Sequence, residues 1–154
     1  MEKETKYKEL LARLLPMIEG ETNAVSVMAN ASALMREVMG DVYFWVGFYT
    51  VNGDMLELGP FQGTSACYRI KRGRGVCGAS WSQAKTLVVP DVEEFPSHIA
   101  CSSLSRSEIV VPLKNNAGTV CAVLDIDSRE LAAFDEVDAK YLGEVAQKIS
   151  EVIY

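Results

Sequence analysis

No apolar run in the 154-residue sequence approaches the roughly 18 residues of a membrane-spanning helix, so a transmembrane segment is excluded. The first residues, Met1-Glu2-Lys3-Glu4-Thr5-Lys6, carry mixed charge and no apolar core, so no signal peptide is expected. Long basic runs are missing too, and 15 basic against 21 acidic residues leave a net charge of -6. Nucleic acid and anionic membrane surfaces are therefore not expected as partners. Linkers, repeats and low-complexity tracts are absent. Histidine occurs once, at His98. Cys67, Cys77, His98 and Cys101 offer four zinc ligands, but their spacing of 10, 21 and 3 residues is unlike paired zinc-finger spacing. No metal is expected.

The length suits one domain, which can bury roughly two-thirds of its unfolded surface and needs no metal or disulfide to fold. Four cysteines, Cys67, Cys77, Cys101 and Cys121, without a secretion signal do not read as a structural disulfide framework. Reduced thiols in a cytoplasmic protein are the expectation. Three of them, Cys67, Cys77 and Cys101, stand among Gly, Ser and Pro rather than in apolar runs.

The hydrophobic pattern changes period along the chain. Leu10, Leu11, Leu14, Met17 and Ile18 recur at helical spacing within residues 3–19, with Pro16 expected to kink or end the helix. Thr22 is the expected cap of a second helix, with Val25, Met28, Ala31, Met35 and Val38 as its apolar stripe and Gly40 as its stop. From Tyr43 to Val51 the residues are aromatic and β-branched, which predicts a strand, and Asn52-Gly53 predicts a two-residue hairpin turn. Strands follow at 55–58, near 67–70, and at 86–89, 108–113 and 119–126, with a short helix at 75–84. Asp135 opens a last helix with Val137, Tyr141, Val145, Ile149 and Val152 on one side. The fold class is α+β: about six antiparallel strands with the terminal helices on one face. Residues 1–21 form a helical extension and 22–154 the core. Pro90 to Ser107 lacks periodicity and holds two prolines, His98 and Cys101, which reads as a site-forming loop or lid.

Alternation sorts the strand residues into faces. Tyr43, Trp45, Gly47 and Tyr49 share one face, and Phe44, Val46 and Phe48 the other. The first set either packs under helices or, with Gly47 leaving room, walls a ligand or admits another backbone. Asp125 and Asp127 share a face with Val123. Two carboxylates at this spacing among apolar residues repel unless a cation arrives, and burial raises at least one pKa. They suit an ammonium group or an acid ready to donate, and Glu108 at the start of the preceding strand can join them. Otherwise they end a strand in solvent. Arg69, Lys71, Arg72 and Arg74 read as a solvated rim. Their charge, with Cys77 near the start of the short helix, makes Cys77 the most acidic thiol expected from local electrostatics. Alternation puts Cys121 on the Asp125 face, as a buried core thiol.

Six motifs in order, Trp45-Val-Gly-Phe-Tyr49, Gly59-Pro-Phe-Gln-Gly63, Gly73-Arg-Gly-Val-Cys-Gly78, His98-Ile-Ala-Cys101, Ser107-Glu-Ile-Val-Val-Pro112 and Leu124-Asp-Ile-Asp-Ser128, resemble the free methionine-R-sulfoxide reductases. These are stand-alone GAF-domain enzymes, and the resemblance spans residues 22–150. It implies reduction of free L-methionine-(R)-S-oxide with electrons from thioredoxin, no metal or organic cofactor, and a homodimer. It implies Cys101 as the thiol that attacks the sulfoxide sulfur and Cys67 as the resolving thiol that closes a disulfide. Cys77 is the third family cysteine, assisting or binding. Trp45 and Tyr49 would line the pocket. Glu108, Asp125 and Asp127 would hold the ammonium and protonate the sulfoxide oxygen. For the nucleophile the resemblance outweighs local electrostatics, because access and geometry also set thiol reactivity.

Overall fold

The computed structural model describes residues 2–98 and 101–154. Four helices, α1 (Glu2–Ile18), α2 (Ala24–Met39), α3 (Gly75–Gln83) and α4 (Glu136–Ile153), accompany six strands. These are β1 (Trp45–Asn52), β2 (Met55–Gln62), β3 (Arg69–Lys71), β4 (Leu87–Val89), β5 (Ser107–Lys114) and β6 (Val120–Ser128). The strands form one antiparallel sheet in the order β3-β2-β1-β6-β5-β4, so the expected α+β class holds. No helix among the described residues is long and apolar enough to cross a membrane.

Period-2 alternation gives the sheet two apolar faces. Val46, Phe48, Ile109, Val111, Leu113, Ala122, Leu124 and Ile126 face α1, α2 and α4 and form the larger core. Trp45, Tyr49, Val110 and Val123 face the other way, where α3 supplies Val76, Cys77 and Trp81. The terminal helices thus share one face, as expected, while the short helix covers the other. Within the larger core lies one polar cluster. Lys3 Nζ donates to Asp138 Oδ2 at 2.6 Å, Tyr7 donates to Asp138 Oδ1, and the Tyr7 and Tyr43 hydroxyls are 2.7 Å apart. Asp138 also accepts from the Asp135 backbone, completing a capping box, so one carboxylate ties α1 to the start of α4.

Several local expectations are corrected. Pro16 does not end α1, which runs on to Ile18. Asn23, not Thr22, caps α2, because its side chain accepts from the Val25 and Ser26 amides. Val25 is 62% exposed and outside the stripe, which runs instead through Val27, Met28, Ala31, Leu34, Met35 and Met39. The β1–β2 hairpin turns on Gly53-Asp54, because Asn52 already pairs with Met55. The strand begins at Trp45, so alternation does not extend to Tyr43 and Phe44. Tyr43 lies in the helix-side core and Phe44 packs with the opposite cluster.

Cys121 also departs. Leu113 pairs with Ala122 and Lys114 with Val120, which leaves Cys121 as the extra residue of a bulge. It is half-buried, and its thiol donates to the Thr119 carbonyl at 3.6 Å.

Gly47 admits a neighbouring backbone rather than a ligand. A Cβ there would lie 2.8 Å from Phe61 Cα and 2.9 Å from the Pro60 carbonyl oxygen. The extra β2 residue opposite Gly47–Tyr49 makes this close approach, and Pro60 sits in that irregularity, where a missing N–H costs little. Gly47→Ala should therefore destabilise the protein by about 1–3 kcal/mol, read from the urea midpoint at unchanged m-value.

Candidate active site

The antiparallel register builds the site. Trp45 pairs with Asp127, and Asp127 pairs with Glu108, so three strands contribute one row of side chains. Gly47, Asp125 and Val110 make the next row, and Tyr49 and Val123 lie beyond. Above these rows, α3 lays Cys77 against the sheet. Gly78 allows that placement, since a Cβ there would meet the backbone of Lys71 and Gly73.

A cavity opens between the sheet and the loops, about 560 Å³ counted out to its mouth. Trp45, Tyr49, Cys77, Cys101, Glu108, Asp125 and Asp127 all line it. So do His98, Ser102 and Ser105 from the 90–107 loop, and Thr64, Ser65 and Arg74. The two residues between His98 and Cys101 lie outside the described residues. Cys67 is held at the rim by a disulfide to Cys101, with Cα atoms 5.5 Å apart. That bond ties the β2–β3 loop to the 90–107 loop. Cys77 and Cys121 are free thiols, and Cys121 is not part of the lining.

The aromatic wall is fixed from behind. The Trp45 ring stacks on Phe61 with centroids 5.1 Å apart and on Tyr49 at 6.0 Å. Trp45 Nε1 donates to the Thr64 carbonyl at 2.9 Å, and the Tyr49 hydroxyl donates to the Cys67 carbonyl at 3.0 Å. Tyr49 therefore joins the pocket floor to the disulfide-bearing loop. Burial, followed by the charges of the neighbouring acids and Cys77, raises the tyrosine pKa and keeps that hydroxyl protonated.

Glu108 and Asp125 are buried and Asp127 is half-buried. Among the described residues no ion pair reaches any of the three. Burial drives all three pKa values up. For Glu108 the charges of Asp125 and Asp127 push further in the same direction, and its hydrogen bonds to both raise it again. For Asp125, hydrogen bonds with Glu108 and Cys77 and the charge of His98 oppose the rise. Burial and mutual repulsion thus favour the protonated form at Glu108, hydrogen-bonded to both aspartates, and at Asp127 beside it. Asp125 Oδ1 is buried with no hydrogen-bond partner, an acceptor facing a missing donor.

Cys77 overturns its sequence expectation. Its thiol is buried, with Sγ 4.0 Å from Glu108 Oε2. Burial, followed by the charges of Asp125, Glu108 and Asp127, holds its pKa well above the usual thiol value. The helix start and the arginines lose to burial and to three neighbouring carboxyl groups, so Cys77 is a neutral S–H group.

The basic rim is only partly solvated in effect. Arg69 pairs with Glu57 at 3.4 Å and Arg72 lies over the Trp81 ring at 5.1 Å, while Arg74 turns toward the cavity. Arg74 was the residue hardest to single out from sequence. The only signal was its position directly before a helix that begins Gly75-Val-Cys.

A family model described as a GAF domain matches residues 21–153. The chain is 52% identical over 144 residues to GAF domain-containing protein A of Dictyostelium discoideum, covering 93% of this chain and 89% of that protein. It is 40% identical over 155 residues to the free methionine-R-sulfoxide reductase of Escherichia coli, covering 99% and 92%. The structure of the free methionine-R-sulfoxide reductase from Neisseria meningitidis in complex with its substrate superimposes with a TM-score of 0.90 at 52% identity, covering 94% of this chain and 86% of that one.

Because the acids are pushed up, the folded protein binds more protons than the unfolded chain between the ordinary carboxylate range near pH 4 and the raised folded values. Stability therefore falls as pH rises through that window. Glu108→Gln keeps the shape and a donor but cannot ionise. It should raise the neutral-pH melting temperature by about 2–4 °C for each kcal/mol of protonation cost removed, and flatten the fall, as followed by thermal melts from acid to neutral pH.

Proposed function

The chain belongs to the GAF-domain family of the free methionine-R-sulfoxide reductases, and we propose the following reaction for it. It reduces free methionine-R-sulfoxide through a cysteine pair that closes a disulfide. The observation that carries this reading is the Cys67–Cys101 bond at the mouth of the cavity that holds Trp45 and the three acids.

The substrate's ammonium takes Asp125 and Asp127, where it supplies the donor that Asp125 Oδ1 lacks. Its arrival lets both aspartates ionise beside a cation. The carboxylate meets Arg74 near the start of α3, where a guanidinium fork suits it. The methyl and sulfur lie against Trp45 and Tyr49, a contact worth about 0.3–1.5 kcal/mol for sulfur on an aromatic ring. Cys77 stays a thiol and helps orient the acids.

The sulfoxide oxygen leaves poorly unless protonated, so Glu108 gives it a proton while Cys101 thiolate attacks the sulfur. The substrate sulfur gains an electron pair and departs as the thioether. Cys101 is oxidised and keeps the oxygen as a sulfenic acid. Cys67 thiol then attacks that sulfur, the disulfide forms and water leaves. Thioredoxin, a dithiol protein, returns two electrons by exchange and frees both cysteines. A reductant of this kind and four cysteines without a structural framework fit work in the cytoplasm, as a homodimer.

Thioredoxin-coupled assays on the two epimers of free methionine sulfoxide and on a peptide-bound sulfoxide test this directly. Turnover should be confined to the free R epimer. Cys101→Ser should lose at least about 10³-fold in kcat/KM. Cys67→Ser should stop thioredoxin-coupled cycling yet form methionine in a single turnover, leaving a sulfenic acid that a dimedone probe labels. Retained activity in Cys101→Ser reassigns the nucleophile.

A further inference from the structure

We propose that Cys77, Glu108 and Asp125 form a binding site for a thiophilic divalent cation of the zinc type, and that its occupancy blocks the cavity. Only the blockade rests on the reductase reading; the binding does not.

One ligand atom from each of the three side chains lies within 4.8 Å of the other two, and all three residues are buried. They come from α3, β5 and β6, so the frame is rigid. Zinc bonds of about 2.3 Å to sulfur and about 2.0–2.2 Å to carboxylate oxygen need only a small closing of these rotamers. Asp125 Oδ1, 5% exposed as a residue and without a partner, is an open lone-pair site pointing to something the protein alone does not provide. An ammonium satisfies that oxygen, but it gains little from a sulfur atom alongside. The thiol selects for a softer cation than magnesium or calcium. No lysine or arginine among the described residues pairs with the acids and occupies the place first. Binding makes one metal–sulfur and two metal–oxygen bonds. The thiol proton and the proton held by Glu108 both go to solvent, no oxidation state changes, and water fills the fourth position. The cation is an inhibitor in the substrate's ammonium subsite, not a participant in turnover.

Cobalt(II) is the probe, because its bond to a thiolate gives a charge-transfer band in the near ultraviolet. The oxidised protein is used without reductant. Its Cys67–Cys101 disulfide removes two thiols and leaves Cys77 and Cys121. One equivalent of cobalt should produce the band, and zinc should bleach it by displacement. Cys121→Ser should keep the band. Cys77→Ser should abolish it, and Asp125→Asn should weaken cobalt affinity by at least about tenfold. Absence of the band, its survival in Cys77→Ser or its loss in Cys121→Ser overturns the site. Saturating methionine sulfoxide should chase the cobalt, and zinc should raise the KM for sulfoxide with kcat unchanged. A band that persists at saturating sulfoxide overturns the blockade. A protein that shows the Cys77-dependent band but reduces no sulfoxide keeps the metal site and loses the reductase reading.

Discussion

Three carboxyl groups held in one cavity without a counter-cation are the constraint from which the rest of this structure follows. The antiparallel pairing of β1, β6 and β5 leaves no choice about their proximity. Asp127 lies opposite Glu108 on one side and Trp45 on the other, and Asp125 is two residues along on the same face. A one-residue slip in either pairing would turn these side chains into the helix-side core. Val46, Phe48, Leu124 and Ile126, all fully buried on that opposite face, forbid the slip. The apolar core thus fixes the register, and the register assembles the acids. The repulsion among them is stored in protonation: Glu108 stays neutral and the site waits for positive charge.

The sheet divides labour between its faces. On one side α1, α2 and α4 bury a largely apolar surface that carries the Lys3–Asp138–Tyr7–Tyr43 cluster, whose members satisfy one another. That cluster is fully partnered, as a stabilising buried network must be. On the other side Asp125 Oδ1 is bare, and among the described residues no ion pair reaches the three acids. Two buried aspartates differ on physical grounds: Asp138 is answered by a lysine, whereas Asp125 meets another acid and a thiol and keeps one oxygen without a partner.

Much of this was legible in the residues themselves. Alternation put Trp45 and Tyr49 on one face of β1, with Val46 and Phe48 on the core face, and put Asp125 and Asp127 on one face of β6, with Leu124 and Ile126 on the other; only the resemblance to a known family brought the two sets to one pocket. The failures occurred where a period was carried past the element that justifies it. Tyr43 and Phe44 precede the first paired residue, and Cys121 occupies a bulge that resets the alternation. Gly47 was open to two readings because a strand glycine serves a ligand and a neighbouring backbone equally well, and only the β2 irregularity decides between them. Arg74 was submerged in a run of four basic residues, since nothing in a local charge count says which one turns inward.

Cys77 shows why thiol chemistry resists local reading. The features that acidify a cysteine, a helix start and nearby arginines, are both present. They act through a few ångströms of chain, whereas Glu108 and Asp125 arrive from strands 31 and 48 residues away in sequence and face the buried sulfur. Field strength depends on what surrounds the path as much as on distance, and a charge screened by solvent loses to one that is not. Arg69 and Arg72 spend their charge on Glu57 and the Trp81 ring at the solvent edge. The same acids that silence Cys77 do not enclose Cys101 and Cys67, which meet half-buried at the rim. One cavity therefore keeps one sulfur neutral among its acids and joins two others in a disulfide at its mouth.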